Sequence, residues 1–435
     1  MKNNRTSIKP THIIEKITSS IMYLVAYIIV SAQSFMMRIK VLGKSSKVHF
    51  EQSYQGQKIL LLALYQKGQL RPDIENLLIT AKQLGMYVLA INTLKILDPN
   101  SLKEKIDCYI ERPNFGRDFG SYKTGFLHLF KKGWEKQCPR LLMLNDSIFY
   151  SKQNLAAFLN QMMNTDIEVL GATENYEIEY HLGSFCISLQ ASILQHSRFK
   201  NYWKHYTNTD IRPKVIKRGE IKLSKTLRHC VRNVDQFQAF YDLDWLSNYL
   251  DNNKELLDRV SDLYGTSDIF PWKRPSLKTV SKRIDNIYFQ MDFSLANIEE
   301  NIGSKLNYFV ENPKQYYFVE NPKQLIKALE TNIKEINIQS LSQRVYQEVK
   351  NDIMECFIQG SQIHHNNILL HLVGMPIIKL DVLYRGVFSV GDVVRLTSQL
   401  SQNEKSSFQK LMFNRPFGGN ILFGWKRAAF NRGLI

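Results

Sequence analysis

Two short apolar runs limit most strongly what this chain can fold into. Residues 58–65 (KILLLALY) and 86–91 (MYVLAI) are nearly continuous in aliphatic side chains and show no polar alternation. That is the pattern of strands covered on both faces. Between them, residues 73–84 (DIENLLITAKQL) place apolar side chains at helical spacing, and Gly85 follows as a stop. Strand, helix and strand joined by short turns form a βαβ unit, which implies a parallel sheet with a right-handed crossover. Sheets of this kind bind ligands where strands end at their carboxyl edges.

Residues 106–110 (IDCYI) read as a third strand, delivering the chain into the loop 114–120 (NFGRDFG). A helix is expected over 121–132, then a fourth strand at 140–144 that stops at Asn145-Asp146-Ser147. Gly116 and Gly120 permit tight turning and close approach of backbone to a ligand. Arg117 offers a planar fork for phosphate oxygens. Taken alone, the loop is an ordinary turn with an Arg–Asp pair, and its position between strand and helix is what marks it. A buried strand ending in Asp146 suits a hard metal ion or ribose hydroxyls.

Further along, residues 167–171 read as a strand leading into an acidic loop, 172–181, where Glu174, Glu177 and Glu179 stand beside His181. A carboxylate or imidazole there is a candidate general base. Residues 183–189 read as a half-buried strand and 193–206 as an aromatic, basic helix best explained by core packing. Glu220 lies among eight lysines and arginines between Lys204 and Arg228, directly before a helix at 221–230, company that keeps a carboxyl ionised. Beyond residue 235 the signals weaken. The heptapeptide FVENPKQ occurs at 309–315 and again at 318–324, 325–354 is helical in pattern, and 375–379 is strand-like.

The net charge of +17 is concentrated. Residues 1–45 carry net +6, 196–232 net +9 and 401–435 net +5. Such clusters attract phosphorylated substrates or an anionic membrane surface. Nothing resembles a nucleic-acid module, so no nucleic-acid partner is expected. The five cysteines are widely spaced with no C-x-x-C, which argues against a zinc or disulfide framework and for a reducing compartment. Residues 17–37 are free of charge and flanked by Lys16 and Arg38. Transmembrane anchor, interfacial helix, signal peptide and packed helix all remain open for this stretch.

Residues 114–123 (NFGRDFGSYK), then Leu144-Asn145-Asp146-Ser147, then Gly171-Ala172-Thr173 and 181–185 (HLGSF) together resemble the rhamnan synthesis protein F family. Phe199-x-x-Tyr202-Trp203, Gly219-Glu220-Ile221-x-Leu223-Ser224 and 374–379 (GMPIIK) continue the resemblance in order. Members are bacterial glycosyltransferases of cell-surface polysaccharide assembly. The resemblance implies an α/β fold with a GT-A-like nucleotide-diphospho-sugar domain and a mostly parallel central sheet at 46–285. A membrane-associating segment at 1–45 precedes it. A mainly helical region at 286–400 and a basic tail at 401–435 follow. It also implies a donor side built from Asn114, Gly116, Arg117, Asp118, Lys123, Asn145 and Asp146. Enzymes of that fold hold Mg2+ or Mn2+ on an Asp-x-Asp, whereas Asn145-Asp146-Ser147 offers the single carboxylate of Asp146, which leaves metal dependence open. For the base the resemblance favours Glu220, with Glu174 as the alternative. The implied partners are a nucleotide-sugar donor, with rhamnose the sugar the family name suggests, and a lipid-linked or polysaccharide acceptor, met at the cytoplasmic face of the bacterial inner membrane. A non-catalytic scaffold in a polysaccharide-synthesis complex is the rival.

Overall fold

A computed structural model describes residues 10–264, 275–284, 321–332, 338–415 and 417–435. The first copy of FVENPKQ and the start of the second lie outside these residues. The end of the second copy opens the helix Pro322–Asn332.

The expected βαβ unit forms. β2 (Ile59–Leu64) and β3 (Tyr87–Asn92) are buried along their whole length and pair in parallel around α2 (Pro72–Gln83). Pro72 starts α2 at the position where a missing N–H costs nothing, and Gly85 at φ 72° ends it. β4 (Cys108–Glu111) joins β3 in parallel, and β5 (Arg140–Asn145) joins β2 on its other side. Alternate residues of β2 face opposite layers: Leu60, Leu62 and Leu64 meet α2, whereas Ile59, Leu61 and Ala63 meet α3 (Arg117–Lys132). A Cβ on Gly125 would sit 2.3 Å from a Leu61 methyl, so α3 rides flush on the sheet.

The central sheet is mixed, not mostly parallel as expected. Its order is β1-β4-β3-β2-β5-β9-β7-β10, with β8 on β7. β1 (Lys47–Glu51) runs antiparallel to β4, and β9 (Cys186–Gln190) runs antiparallel to both β5 and β7 (Val169–Asn175). The reason is connection length. β7 and β9 are separated by a stretch too short for a crossover helix, so the chain reverses. β7 also runs further than the expected 167–171, taking Glu174 out of a loop and into a strand. β8 (His181–Leu182) and β10 (Phe237–Tyr241) complete the sheet.

The later chain packs onto the same core. Val345, Ile353, Phe357, Leu369 and Ile377 share one apolar cluster with β2, β3 and β5. β6 (Ile148–Tyr150) and β11 (Ile377–Lys379) form a small antiparallel sheet, with Lys379 opposite Ile148.

Candidate active site

Sequence neighbours β3 and β4 lie on one side of β2 and β5 on the other, so the strand order switches direction between β2 and β5. Ligands of open α/β sheets sit at such a point, and Asp146 is there. The Tyr65 amide donates to its Oδ2 at 2.6 Å, and the Gln66 side-chain amide donates to the same oxygen. Arg71 locks the turn by donating to the Asp146 carbonyl at 2.9 Å and the Ile148 carbonyl at 2.6 Å, while gripping Asp73 with two nitrogens. Burial raises the Asp146 carboxyl above its ordinary range despite Gln66, Tyr65 and Arg71.

The loop between β4 and α3 is shaped by Arg112, a residue that sequence reasoning left out. Its buried guanidinium donates to Ser121 Oγ at 2.9 Å and to the carbonyls of Pro113, Phe115 and Arg117. Desolvation lowers its pKa to about 10, partly offset by Asp118 and Asp210. A Cβ on Gly120 would meet both guanidinium nitrogens at 2.9 Å. Gly116, at φ 97°, donates its amide to Asp210 at 2.6 Å, and a Cβ there would meet Asn208 at 2.8 Å. The two glycines therefore make room for the protein's own side chains. Asn114 and Arg117 are exposed. Arg117 holds the left-handed φ of 50°, a strained backbone for a non-glycine residue of the kind that clusters at functional sites.

Asp118 leads from this loop to the end of β5. It accepts from the Asn145 side-chain amide at 3.1 Å and from the Phe119 backbone at 3.0 Å. Asn145 in turn accepts from the Ser147 hydroxyl at 2.7 Å. Burial and then the charge of Glu220 push the Asp118 carboxyl up. Glu220 does not precede a helix as expected. It sits in a π-helical turn, Ile216–Ile221, inside a continuous helical run from Arg212 to Arg228. Widened turns of this kind often mark functional sites. Gly219 lets that turn press on the Phe119 ring, which a Cβ would meet at 2.9 Å.

Glu220 faces His181 at 3.4 Å. The imidazole is 1% exposed and the carboxylate 25%, so the open side of the pair is the carboxylate. His181 Nδ1 lies 2.7 Å from the Glu179 carbonyl, which only accepts, so the ring proton on that side is fixed. Burial pushes the Glu220 carboxyl up, but His181, Lys379 and Arg212 outweigh it and hold the carboxyl below its ordinary value.

β11 delivers two further groups that sequence reasoning did not assign. Lys379 donates from Nζ to Ser147 Oγ at 2.9 Å, and its charge acts on both Asp118 and Glu220. Asp381 meets Arg385 at 2.6 Å and His364 at 3.3 Å. Burial raises its carboxyl, but His364, Lys379 and Arg385 overcome this and hold it well below the usual range. An apolar run ending in Lys379-Leu380-Asp381, like the run ending at Asp146, was the available signal.

Two expected site residues stand apart. Lys123 directs its ammonium to the Tyr206 carbonyl at 2.5 Å and the Lys204 carbonyl at 3.4 Å, at the end of the Ser197–His205 helix. Glu174 is buried with both oxygens accepting from tyrosines, Tyr176 and Tyr180, each at 2.7 Å. The acidic residues that bear on it are Asp242 and Asp244.

The residues around Asp146 do not fit a resident Mg2+ or Mn2+. These ions ask for several hard oxygens, and Asp146 stands between neutral Asn145 and Ser147, with its Oδ2 already engaged. Among the described residues one group has metal-ligand spacing: Glu51, Cys108 and His128. It lies where β4 begins, at the opposite edge of the sheet from the end of β5. Lys132 already pairs with its carboxylate.

Residues 87–242 match the family model described as rhamnan synthesis protein F. An uncharacterized protein, y4gN, of Sinorhizobium fredii (strain NBRC 101917 / NGR234) is 28% identical over 177 residues, 39% of this chain and 45% of that one. Virulence protein VirA of Vibrio anguillarum (strain ATCC 68554 / 775) is 27% identical over 138 residues, 31% of this chain and 44% of that one. The chain thus spans less than half the length of these relatives. Among solved structures, the glycosyltransferase GlyE of Streptococcus pneumoniae TIGR4 is similar at 10% identity, covering 46% of this chain and 50% of that chain with a TM-score of 0.24. Superposition that loose carries no weight for function.

Proposed function

We propose that this chain is a glycosyltransferase of surface-polysaccharide synthesis, with its site between the ends of β2 and β5, the Asp118 loop, Glu220 and β11. One observation carries the reading: two carboxylates, Asp118, tied to Asn145 at the end of β5, and Glu220, paired with His181, both feel the charge of Lys379, with environments that push their pKa values apart. Such divergence separates acid–base roles. An acceptor hydroxyl oxygen bonds to the anomeric carbon of a nucleotide sugar, and the bond from that carbon to the diphosphate breaks. Glu220, kept ionised, takes the hydroxyl proton. Asn114, Gly116, Arg117, Asp118, Asn145 and Asp146 form the donor side. Lys379, with Arg117, offsets charge on the departing diphosphate, the task a divalent cation has elsewhere.

The family description points to rhamnose as the sugar, and the acceptor in this reading is a lipid-linked or polysaccharide chain at the cytoplasmic face of the inner membrane. Calorimetry with a panel of nucleotide sugars, with and without magnesium or manganese, tests the donor side. Binding that survives chelator but falls in Lys379→Ala is expected. Transfer in Glu220→Gln should drop about 100-fold or more, and an unchanged rate removes the base assignment. A second reading, a non-catalytic scaffold, is favoured by the lone carboxylate at Asp146. It requires that no nucleotide sugar bind at millimolar concentration.

A further inference from the structure

Among the described residues, large exposed apolar side chains gather on α1 (Pro10–Val41) and on 413–423. On α1, Ile21, Leu24, Ile28, Phe35 and Ile39 recur at helical spacing, each more than half exposed. The other face is closed. Ala26, Val30 and Ser34 are buried, and Ala26 packs with Ala429 and Leu434, so the Gly424–Asn431 helix lies along this face. Arg432 stands over the Tyr23 ring at 5.6 Å and Lys214 over the Tyr27 ring at 5.5 Å.

The stretch Ser20–Val41 is 22 residues, long enough to cross a bilayer. Its packing opposes that. Tyr23 and Tyr27 lie inside the stretch, and their partners are two cations. A crossing helix would drag Lys214 and Arg432 into hydrocarbon or strip them and the Gly424–Asn431 helix away. A helix lying flat keeps both the packed face and the apolar face satisfied.

We infer that α1 is an in-plane membrane helix, its open apolar face resting in the surface of an anionic bilayer and its inner face clamped by residues 424–435. Charge decides between lipid and a second copy of the chain. Arg38 and Lys40 lie in the last turn of α1, Lys44 follows it, and Lys426 and Arg427 lie on the clamping helix. Two copies would oppose like charges, whereas an anionic leaflet complements them. The same clamp reaches the candidate site. Arg212 donates to the Gly433 carbonyl at 3.5 Å, and Arg385 to an Ile435 backbone oxygen at 3.4 Å. The membrane-facing helix and the crevice are thereby tied through one segment.

The inference does not rest on the transfer reaction, because vesicle binding is scored without any sugar. The full chain should float with vesicles of phosphatidylglycerol and phosphatidylcholine, bind pure phosphatidylcholine more weakly, and come off in alkaline carbonate. Leu24→Asp/Ile28→Asp, on the open face, should weaken binding about ten-fold or more while the thermal transition stays in place. Retention through carbonate until detergent is added would show a crossing helix and overturn the inference. Equal vesicle binding by the double variant would overturn it as well. So would a dimer in ultracentrifugation that the double variant abolishes with no binding to lipid.

Discussion

Glu220 and His181 show how a single contact links stability to chemistry. With the Nδ1 proton held by the Glu179 carbonyl, the nitrogen facing Glu220 carries a proton only when the ring is an imidazolium, and the ion pair with Glu220 exists in that state. Burial lowers the His181 pKa, but Glu220, the Glu179 carbonyl and Glu177 together outweigh it and the net shift is upward from 6.5, so its contribution is full below 6.5 and lost as pH rises through the raised value. Glu220 is shifted downward from 4.5, so its contribution is full above 4.5 and lost as pH falls through the lowered value. The stability gap between the wild type and His181→Gln should therefore be largest between pH 4.5 and 6.5, at about 1–3 kcal/mol. Urea titrations across pH read it directly, and a gap flat from acid to alkaline pH would remove the ion pair. The same substitution removes the first of the groups that offset the burial of Glu220, leaving Lys379 and Arg212, so its pKa rises. The acid limb of the transfer rate should then move to higher pH, an effect loss of fold alone does not produce.

At the scale of elements, the loop before α3 depends on where glycines are indispensable. Gly120 has Arg112 nitrogens and the Phe115 carbonyl at 2.9 Å from the place of a Cβ, whereas Gly85 at the end of α2 has open space and a left-handed φ of 72°. Gly120→Ala should cost about 2–4 kcal/mol by displacing the guanidinium from its carbonyls. Gly85→Ala should cost only about 1 kcal/mol, the backbone penalty. Equal midpoints in urea would mean that Arg112 does not organise the loop. Sequence patterns carried this region unevenly. The runs at 58–65 and 86–91 were legible because burial on both faces leaves no polar residue to confuse them. The glycines of 114–120 were legible as places of close approach, but not as room for Arg112 and Asn208, because those contacts join positions distant along the chain or around a turn. Strand direction at 183–189 was missed because an apolar run carries no arrow, although the short connection from β7 held the information. Glu174 was misplaced for a related reason: acidic residues read as loop, and two tyrosine hydroxyls made a strand position tolerable.

Over the whole molecule, the site is assembled from segments far apart in sequence. Ser147 and Lys379 meet because β6 pairs with β11; the run at 375–379 was legible as a strand, but its pairing with the three residues of β6 was not. That pairing is part of a wider union. Val345, Ile353, Phe357, Leu369, Leu370, Met375 and Ile377 are buried in the cluster that also holds β2, β3 and β5. Burial of seven such side chains contributes about 1.5–3 kcal/mol each, or roughly 10–20 kcal/mol together, and a chain without them forfeits that and uncovers the sheet they pack on. A domain of this kind has about 5–15 kcal/mol of stability in total. A chain cut after residue 264 should therefore fail to fold cooperatively, although it retains the central sheet, Asp146 and Glu220. The full chain should unfold from 46 onward in one transition, seen alike by far-ultraviolet dichroism and by tryptophan emission. Ile377→Asp, placed in the shared cluster, should lower the stability of the sheet itself by about 3 kcal/mol or more. A fragment of residues 46–264 with its own sharp urea transition would instead make the later chain an independent unit, and Lys379 a visitor to the site rather than a part of it.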